Sequence, residues 1–203
     1  MTFYQELQLN QAGSKAVIRS CTDKKEKMRH IAIYLFKIFI TMVFCMAVVI
    51  GFSKVFGNDN SIVGVVVLLC VMAFRFADFG IRTPHAMGAM AIMFAILTFG
   101  PRLANAGGLV QEFLVNTICI LILMVLGCHN VVMFNHSTLL LSYLLLYGND
   151  VTGELYIQRL IAMGIGAAAP LIVYYRNHHK KGYKRSLKDI FREFDVNSLR
   201  KRW

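Results

Sequence analysis

Long apolar runs separated by short polar or glycine-containing breaks dominate the chain between residues 31 and 175. Each run is close to the roughly 20 residues that a helix needs to cross a hydrocarbon core about 30 Å thick. The breaks contain Gly, Pro, Asn and Asp, which favour turns. The pattern therefore predicts an all-α, polytopic membrane protein. Its six predicted transmembrane helices cover residues 31–53, 61–78, 84–100, 109–127, 130–147 and 155–175.

The composition also favours a membrane domain, because 57% of the residues are hydrophobic and only 16% are charged. Soluble domains average roughly 45–50% and 25%. A soluble chain of 203 residues has too little interior to bury so much apolar surface. Residues 1–30 contain no continuous apolar segment typical of a cleavable signal peptide. We therefore expect the first apolar run to act as an uncleaved anchor.

The distribution of basic residues predicts the topology. The formal net charge is +11, and of the 22 Lys and Arg residues six lie in residues 1–30 and ten in residues 176–202. With both termini in the cytoplasm, nineteen basic residues lie on the cytoplasmic side and three outside, as the positive-inside rule requires. We expect a multi-pass membrane protein with this orientation. Basic flanks around an apolar domain do not favour nucleic-acid binding.

The chain is predicted to have three regions. These are a basic cytoplasmic N-terminal segment (1–30), a six-helix transmembrane domain (31–175) and a basic amphipathic cytoplasmic tail (176–203). In the tail, Ser186 and Asp189 have the spacing of a capping box. Apolar residues follow at helical spacing, at Leu187, Ile190, Phe191 and Phe194. We expect this helix to lie on anionic lipid headgroups or to pack on the loops or on a partner subunit.

A charged corner follows the second predicted span. Arg75 and Asp78 are three residues apart on one helical face, and Arg82 follows in the sequence FRFADFGIRTPH. Ionisable residues near a membrane span are costly and often functional, so this corner is a candidate anion entry point or inward gate. The alternative is a local ion pair and snorkelling side chains that stabilise the end of the helix.

Polar residues in or near the fourth and fifth predicted spans give two further candidates. Asn116 lies in the fourth span, where it can donate a hydrogen bond to a substrate or clamp two helices together. His136 and His129 lie at the cytoplasmic turn between the two spans. A histidine titrates near neutral pH and can carry a coupling proton. The alternative for both histidines is simple solvation at the membrane interface.

Arg159 lies one turn into the sixth predicted span, after Asp150 and Glu154. It can face an outer vestibule and attract an anion, or it can pair with one of these two carboxylates. Small residues that permit close helix approach follow at Gly164, Gly166 and 167–169. We interpret this small-residue face as a contact between helices or between subunits.

The sequence contains no motif typical of a soluble enzyme, such as a glycine-rich phosphate loop, HExxH or GxSxG. The five cysteines include no CxxC and no pairing with His at zinc-ligand spacing. We therefore predict no enzymatic activity, no metal site and no cofactor. The cysteines are interpreted as small hydrophobic residues.

Several stretches resemble one family of membrane proteins. They are DFGIRTP after the second span, Asn116 in the fourth span, the Tyr-rich fifth span and YLLLYGNDVTGELYIQRLIAMGIGA. Together, over roughly residues 31–175, they resemble the membrane half of the fusaric-acid-resistance-like (FUSC) proteins, which include aromatic acid exporters. The likeness is greatest to short, single-unit bacterial members. Thr152, Gly153 and Arg159 match the motif associated with the last outer loop and span.

This resemblance implies a multi-pass protein of the bacterial inner (cytoplasmic) membrane. It also implies the efflux of organic, often aromatic, carboxylate anions, with the proton gradient as a candidate energy source. The chain has no second six-span repeat and no large cytoplasmic domain. The resemblance therefore implies a homodimer, in which two copies replace the tandem repeat in the lipid bilayer. Two alternatives stay open. One is an anion channel, as the more distantly similar plant aluminium-activated malate transporters suggest. The other is a non-transporting scaffold whose basic ends bind lipid or a partner.

Overall fold

The structure, a computed structural model, describes residues 3–9, 11–127, 135–179, 182–186 and 188–189. None of these residues forms a β-strand. The helices are α1 (Phe3–Gln8), α2 (Gln11–Ser20), α3 (Lys24–Phe56), α4 (Ser61–Phe76), α5 (Thr83–Asn105), α6 (Leu109–Gly127), α7 (Asn135–Gly148) and α8 (Glu154–His178). A short 3-10 helix, Asn58–Asn60, lies between α3 and α4.

The chain divides into two compact units, Met1–Val48 and Val49–Trp203. In the first unit, α1 is tied to α3 by His30, whose Nδ1 lies 2.8 Å from Glu6 Oε2. The ammonium group of Lys37, also on α3, donates a hydrogen bond to the carbonyl oxygen of Leu9. The residues near the N-terminus are therefore fixed by polar contacts to one long helix. The second unit contains the end of α3 and the helices from α4 to α8.

Within the described residues, five helical segments are long and apolar enough to cross a membrane. They are Lys24–Phe56, Asn58–Arg75, Thr83–Asn105, Leu109–Gly127 and Glu154–His178. In the first and fourth of these, only 6% and 11% of the most apolar stretch is buried within the protein. Large apolar surfaces of this kind need a partner other than water, and helices satisfy their own backbone in lipid. These helices are consistent with the predicted α-helical polytopic membrane protein.

The fifth predicted span, 130–147, corresponds to the 14-residue helix α7, in which the apolar part is Ser137–Gly148. It is shorter than the other five segments, and six spans with both termini in the cytoplasm stay a prediction. The third span was predicted to end at Gly100, but α5 continues to Asn105 with Pro101 inside the helix. Hydrogen bonds to α7 and its following loop hold this last turn, because Asn105 Nδ2 donates to the carbonyl oxygen of Tyr147 (3.2 Å).

The core of the second unit is apolar and closely packed. Among its fully buried side chains are Tyr143, Tyr174, Phe74, Met90, Met93 and Leu97. The helices α4 and α8 approach closely at Gly166, where a Cβ atom would lie 2.3 Å from Cγ2 of Val67. The predicted small-residue face is therefore split, since Gly166 is buried while Gly164 is exposed.

The helices of the second unit alternate in direction and so define two ends. The starts of α4 and α8 lie beside the ends of α5 and α7 at one end of the unit. We call this the Arg159 end, and it consists of residues 57–60, 102–109 and 148–159. The end of α4, the start of α5 and the end of α8 meet at the Asp78 end, formed by residues 75–85, 177–179 and 182–186. The candidate residues are distributed between these ends and the space between α6 and α7.

Candidate functional site

Arg159 is buried at the Arg159 end, with only 4% of its surface exposed. Its Nε donates a hydrogen bond to Asn60 Oδ1 (3.0 Å). Its Nη1 donates to the carbonyl oxygen of Asn149 (2.5 Å), and its Nη2 to that of Asp59 (3.0 Å). One side chain thus joins α8 to the 3-10 helix before α4 and to the loop after α7. Oxygen acceptors on three sides offset the cost of burying the guanidinium.

Asn60 completes this junction. It is fully buried, and besides accepting from Arg159 it donates through Nδ2 to the carbonyl oxygens of Phe56 (3.0 Å) and Leu155 (3.2 Å). Its amide therefore uses both its acceptor and its donor groups inside the protein. Sequence analysis did not identify Asn60, because it lies in a polar break of the kind that usually forms an exposed turn.

Asp150 pairs with Arg102 at the same end, with Asp150 Oδ2 and Arg102 Nη1 3.0 Å apart. The guanidinium of Arg102 also lies 5.9 Å from the centre of the Tyr156 ring. Sequence analysis gave Asp150 and Glu154 as candidate partners of Arg159. In the structure, Arg159 donates its hydrogen bonds to Asn60 and to backbone oxygens. An anion-attracting role for Arg159 stays a prediction.

Asp78 organises the turn that follows α4. Its Oδ1 accepts a hydrogen bond from the backbone N–H of Gly80 (3.0 Å), and its Oδ2 accepts one from the hydroxyl of Tyr183 (2.5 Å). Gly80 has a φ of +61°, a conformation that glycine adopts without strain. The same turn is anchored in the apolar core by the buried side chains of Ala77, Phe79 and Ile81. The carboxylate therefore connects two loops that are about a hundred residues apart in sequence.

The segment after α8 folds back onto this turn. The backbone N–H of Arg82 donates to the carbonyl oxygen of Arg185 (2.9 Å), and the Ser186 hydroxyl lies 3.1 Å from His85 Nδ1. We call the contact of residues 182–186 with the turn the tail clasp. The predicted capping box is formed in part, since the N–H of Ser186 donates to Asp189 Oδ2 (2.7 Å). The predicted amphipathic helix beyond it lies outside the described residues.

Replacing Tyr183 with Phe is expected to loosen the tail clasp, because it removes a hydrogen bond to a carboxylate. Such bonds are worth roughly 1.5–3 kcal/mol, so the backbone amide of Arg82, which donates to the carbonyl oxygen of Arg185, should exchange about tenfold faster or more. Hydrogen exchange with mass spectrometry in detergent micelles measures this. Tyr175→Phe is the matched control, because Tyr175 is exposed and stacks on His179 instead. Unchanged exchange in the Tyr183 variant would contradict the clasp.

A polar seam runs between α6 and α7, formed by Glu112, Asn116, Cys119, Tyr143 and Tyr147. The Tyr147 hydroxyl donates to Glu112 Oε1, and the Tyr143 hydroxyl donates to Asn116 Oδ1 (2.6 Å). Gly100 of α5 closes the seam, because a Cβ atom there would lie 2.9 Å from both Cys119 Sγ and Tyr143 Cε2. Asn116 is thus hydrogen-bonded to a neighbouring helix, which is the geometry expected if it clamps two helices together.

The six candidate residues do not form one site. Arg75, Asp78 and Arg82 lie at the Asp78 end, Arg159 lies at the opposite end, and Asn116 lies in the seam. His136 is in the first turn of α7, and its side chain, like the whole of His129, lies outside the described part of the chain. The side chains of Arg75 and Arg82 are exposed. The structure thus separates an exposed cationic surface from two networks of largely part-buried hydrogen bonds, one around Arg159 and one in the seam.

Of the five seam residues, sequence analysis identified Asn116 as a candidate, interpreted Cys119 as a small hydrophobic residue, and missed Glu112, Tyr143 and Tyr147. A signal for them was present, since Glu112 and Asn116 are spaced i, i+4 on α6, and Tyr143 and Tyr147 have the same spacing on α7. Two such stripes on adjacent apolar helices predict paired hydrogen bonds. No group of three or more His, Cys, Asp or Glu side chains within the described residues is placed to hold a metal ion.

The comparisons with known proteins identify no relative. The chain matches no protein-family model, and it is significantly similar neither to a curated protein nor to a solved structure. The functional argument therefore depends on the residues and geometry described above.

Proposed function

We propose that this chain is a membrane carrier that exports small organic carboxylate anions across the bacterial inner membrane. In this proposal six helices cross the bilayer, both termini are cytoplasmic, and the Asp78 end faces the cytoplasm. The resemblance to the FUSC proteins supports the class of solute. Two copies would work together as a homodimer, for which the exposed apolar face of α6 offers a contact surface.

The observation that carries the proposal is a group of exposed cations around the Asp78 end. We call it the cationic collar: Arg75, Arg82, Arg176, Lys184, Arg185 and Lys188. Two carboxylates, Asp78 and Asp189, lie among these six cations, so basic groups outnumber acidic ones here. A surface of one sign raises the local concentration of oppositely charged solutes and speeds their encounter. The collar therefore favours an anion that enters from this end.

The opposite end has a different character. Arg159 is buried there, and Arg102 forms an ion pair with Asp150. Asp59 and Glu154 are exposed there. An anion drawn to the collar would therefore meet a much less cationic surface at the other end. This asymmetry supports capture of the anion at the Asp78 end.

The packed core favours a carrier over a channel. A channel needs a continuous polar path, but the described bundle is filled by large apolar side chains such as Phe74, Met90 and Leu97. A carrier opens to one side at a time and can close its interior in this way. In the closed arrangement, the seam contributes polar groups inside the bundle.

Solute flux into proteoliposomes that contain the purified full chain tests the proposal. We expect saturable flux of benzoate-like or malate-like anions, above that of protein-free liposomes, and none of a matched organic cation such as tyramine. Passive, voltage-driven and non-saturable anion flux would favour the channel instead. No flux of any anion, from protein shown to be folded, would contradict the proposal and favour the scaffold.

A further inference from the structure

The short helix α1 crosses α3 instead of running along it. At one end of the α1 segment, the ring of Phe3 lies 6.1 Å from that of Phe36. At the other end, the carbonyl oxygen of Leu9 accepts a hydrogen bond from Lys37, the next residue of α3. Both ends of the segment therefore reach the same turn of α3, and α1 lies across the long helix.

The crossing point lies at the depth of a membrane interface. The apolar run of α3 begins at Ile31, so Phe36 lies about 8 Å further along the helix axis. Interfacial helices bury their apolar faces roughly 5–10 Å into the boundary between headgroups and acyl chains. The ammonium group of Lys37 is held there by a backbone carbonyl oxygen, as expected of a lysine near the end of a span. A helix that crosses α3 at this depth lies in the plane of the interface.

The next helix, α2, has one face turned toward α3 and one turned outward. On its inner face, Ser14 and Val17 line a small cavity together with Ile33 and Tyr34 of α3. Its exposed residues share the opposite face and include two cations: Lys15, Ala16, Arg19 and Ser20. A helix of ten residues is marginal by itself in water. Its stability therefore reports on what covers it.

Exposed basic and apolar side chains lie together in this part of the chain. We call the exposed cations of α2 and the start of α3 the N-terminal basic surface: Lys15, Arg19, Lys24, Lys25, Lys27 and Arg29. Three carboxylates lie in the same region, namely Glu6, Asp23 and Glu26, so cations outnumber them. Large apolar side chains are exposed beside this surface at Phe3, Tyr4 and Met28. A soluble acidic partner would match the cations alone, whereas an anionic bilayer matches the cations and the apolar side chains.

We propose that α1, α2 and the first turns of α3 form a binding surface for anionic phospholipids. In this arrangement Lys15 and Arg19 contact the headgroup phosphates, while Phe3 and Tyr4 enter the boundary with the acyl chains. The phosphate is the group that the cations recognise, and phosphatidylglycerol is a suitable probe for it. The inference is independent of the proposed anion transport, because it uses no residue of the cationic collar or of the seam.

Hydrogen exchange with mass spectrometry on the full chain in lipid nanodiscs tests this surface. One set of nanodiscs contains phosphatidylcholine alone, and the other contains phosphatidylcholine mixed with phosphatidylglycerol. We expect the backbone amides of α2 to exchange about tenfold more slowly in the mixture, because each basic side chain near an anionic surface strengthens binding. Added salt should remove most of this difference. Equal exchange in the two lipids would overturn the inference and favour an acidic protein partner.

Variants of α2 separate the charge from the packing of the helix. Lys15→Gln/Arg19→Gln should abolish the slowing by phosphatidylglycerol, and Lys15→Arg/Arg19→Lys should retain it, since both side chains are exposed and the charge is kept. The matched control is Lys54→Gln, which removes an exposed cation from the last turn of α3 and should leave the slowing unchanged. Full slowing in Lys15→Gln/Arg19→Gln would overturn the inference.

Discussion

Arg159→Ala is expected to lower the melting temperature of the protein in detergent micelles by about 6–12 °C. The substitution removes three hydrogen bonds from a buried cation and leaves the acceptors at Asn60, Asn149 and Asp59 without their donor. A hydrogen bond to a charged group is worth roughly 1.5–3 kcal/mol, so the combined loss should be about 3 kcal/mol or more. Differential scanning fluorimetry of the purified variant measures the effect.

Two further variants separate the contribution of the Arg159 hydrogen bonds to stability from that of its positive charge. Arg159→Lys keeps the charge but loses the planar fork, so we expect an intermediate loss of stability. Arg102→Ala removes a pair whose side chains are 35% and 18% exposed, and pairs of this kind contribute about 0–1 kcal/mol. Arg159→Ala with wild-type stability and no anion flux would contradict the structural role and support the vestibule interpretation.

Gly166→Ala is expected to destabilise the protein by about 1–3 kcal/mol, because it overfills the contact between α4 and α8. The new methyl group would lie 2.3 Å from Cγ2 of Val67, and both helices would have to move apart. Thermal unfolding in detergent measures the loss. The double variant Gly166→Ala/Val67→Ala should recover part of it, since the second change makes room for the first.

Gly164→Ala is the matched control for this position. It lies on the same helix two residues earlier, and apart from its own helix nothing lies within 4 Å of the place that the new methyl group would take. Alanine is a better helix former than glycine by up to about 1 kcal/mol, so this variant should be neutral or slightly more stable. A loss of stability as large at Gly164 as at Gly166 would show that the small-residue face acts as a whole, contrary to the contact described here.

The sequence predicted the long apolar helices well because crossing a bilayer is a matter of length and composition. The predicted spans 61–78 and 109–127 correspond closely to α4 and α6. The start of the first span was wrong, because α3 begins at Lys24, within the predicted N-terminal segment, rather than at Ile31. The predicted end of the third span, at Gly100, was wrong because of tertiary contacts. Gly100 and Pro101 look like a helix stop, but contacts of the following turn with α7 and its loop keep the helix intact.

The hydrogen-bond networks could not be predicted from the sequence. Asn60 and Arg159 are 99 residues apart, and the other acceptors of Arg159 are backbone oxygens, which carry no residue identity. Tyr183 meets Asp78 across a similar separation. Glu112 was overlooked because it lies at the edge of a span, where a charged residue is usually solvated; only its facing partner, Tyr147, sets it apart.

The most direct test of the account is the concentration dependence of anion flux in wild-type proteoliposomes and in the triple variant Arg75→Gln/Arg82→Gln/Arg176→Gln. Because these three side chains of the collar are exposed, the fold should survive their replacement. We predict that KM for the anion rises roughly tenfold in the variant at low salt while the maximal rate changes little, and that added salt narrows the difference. Equal KM values for the two proteins at every salt concentration would contradict the collar as the anion entrance.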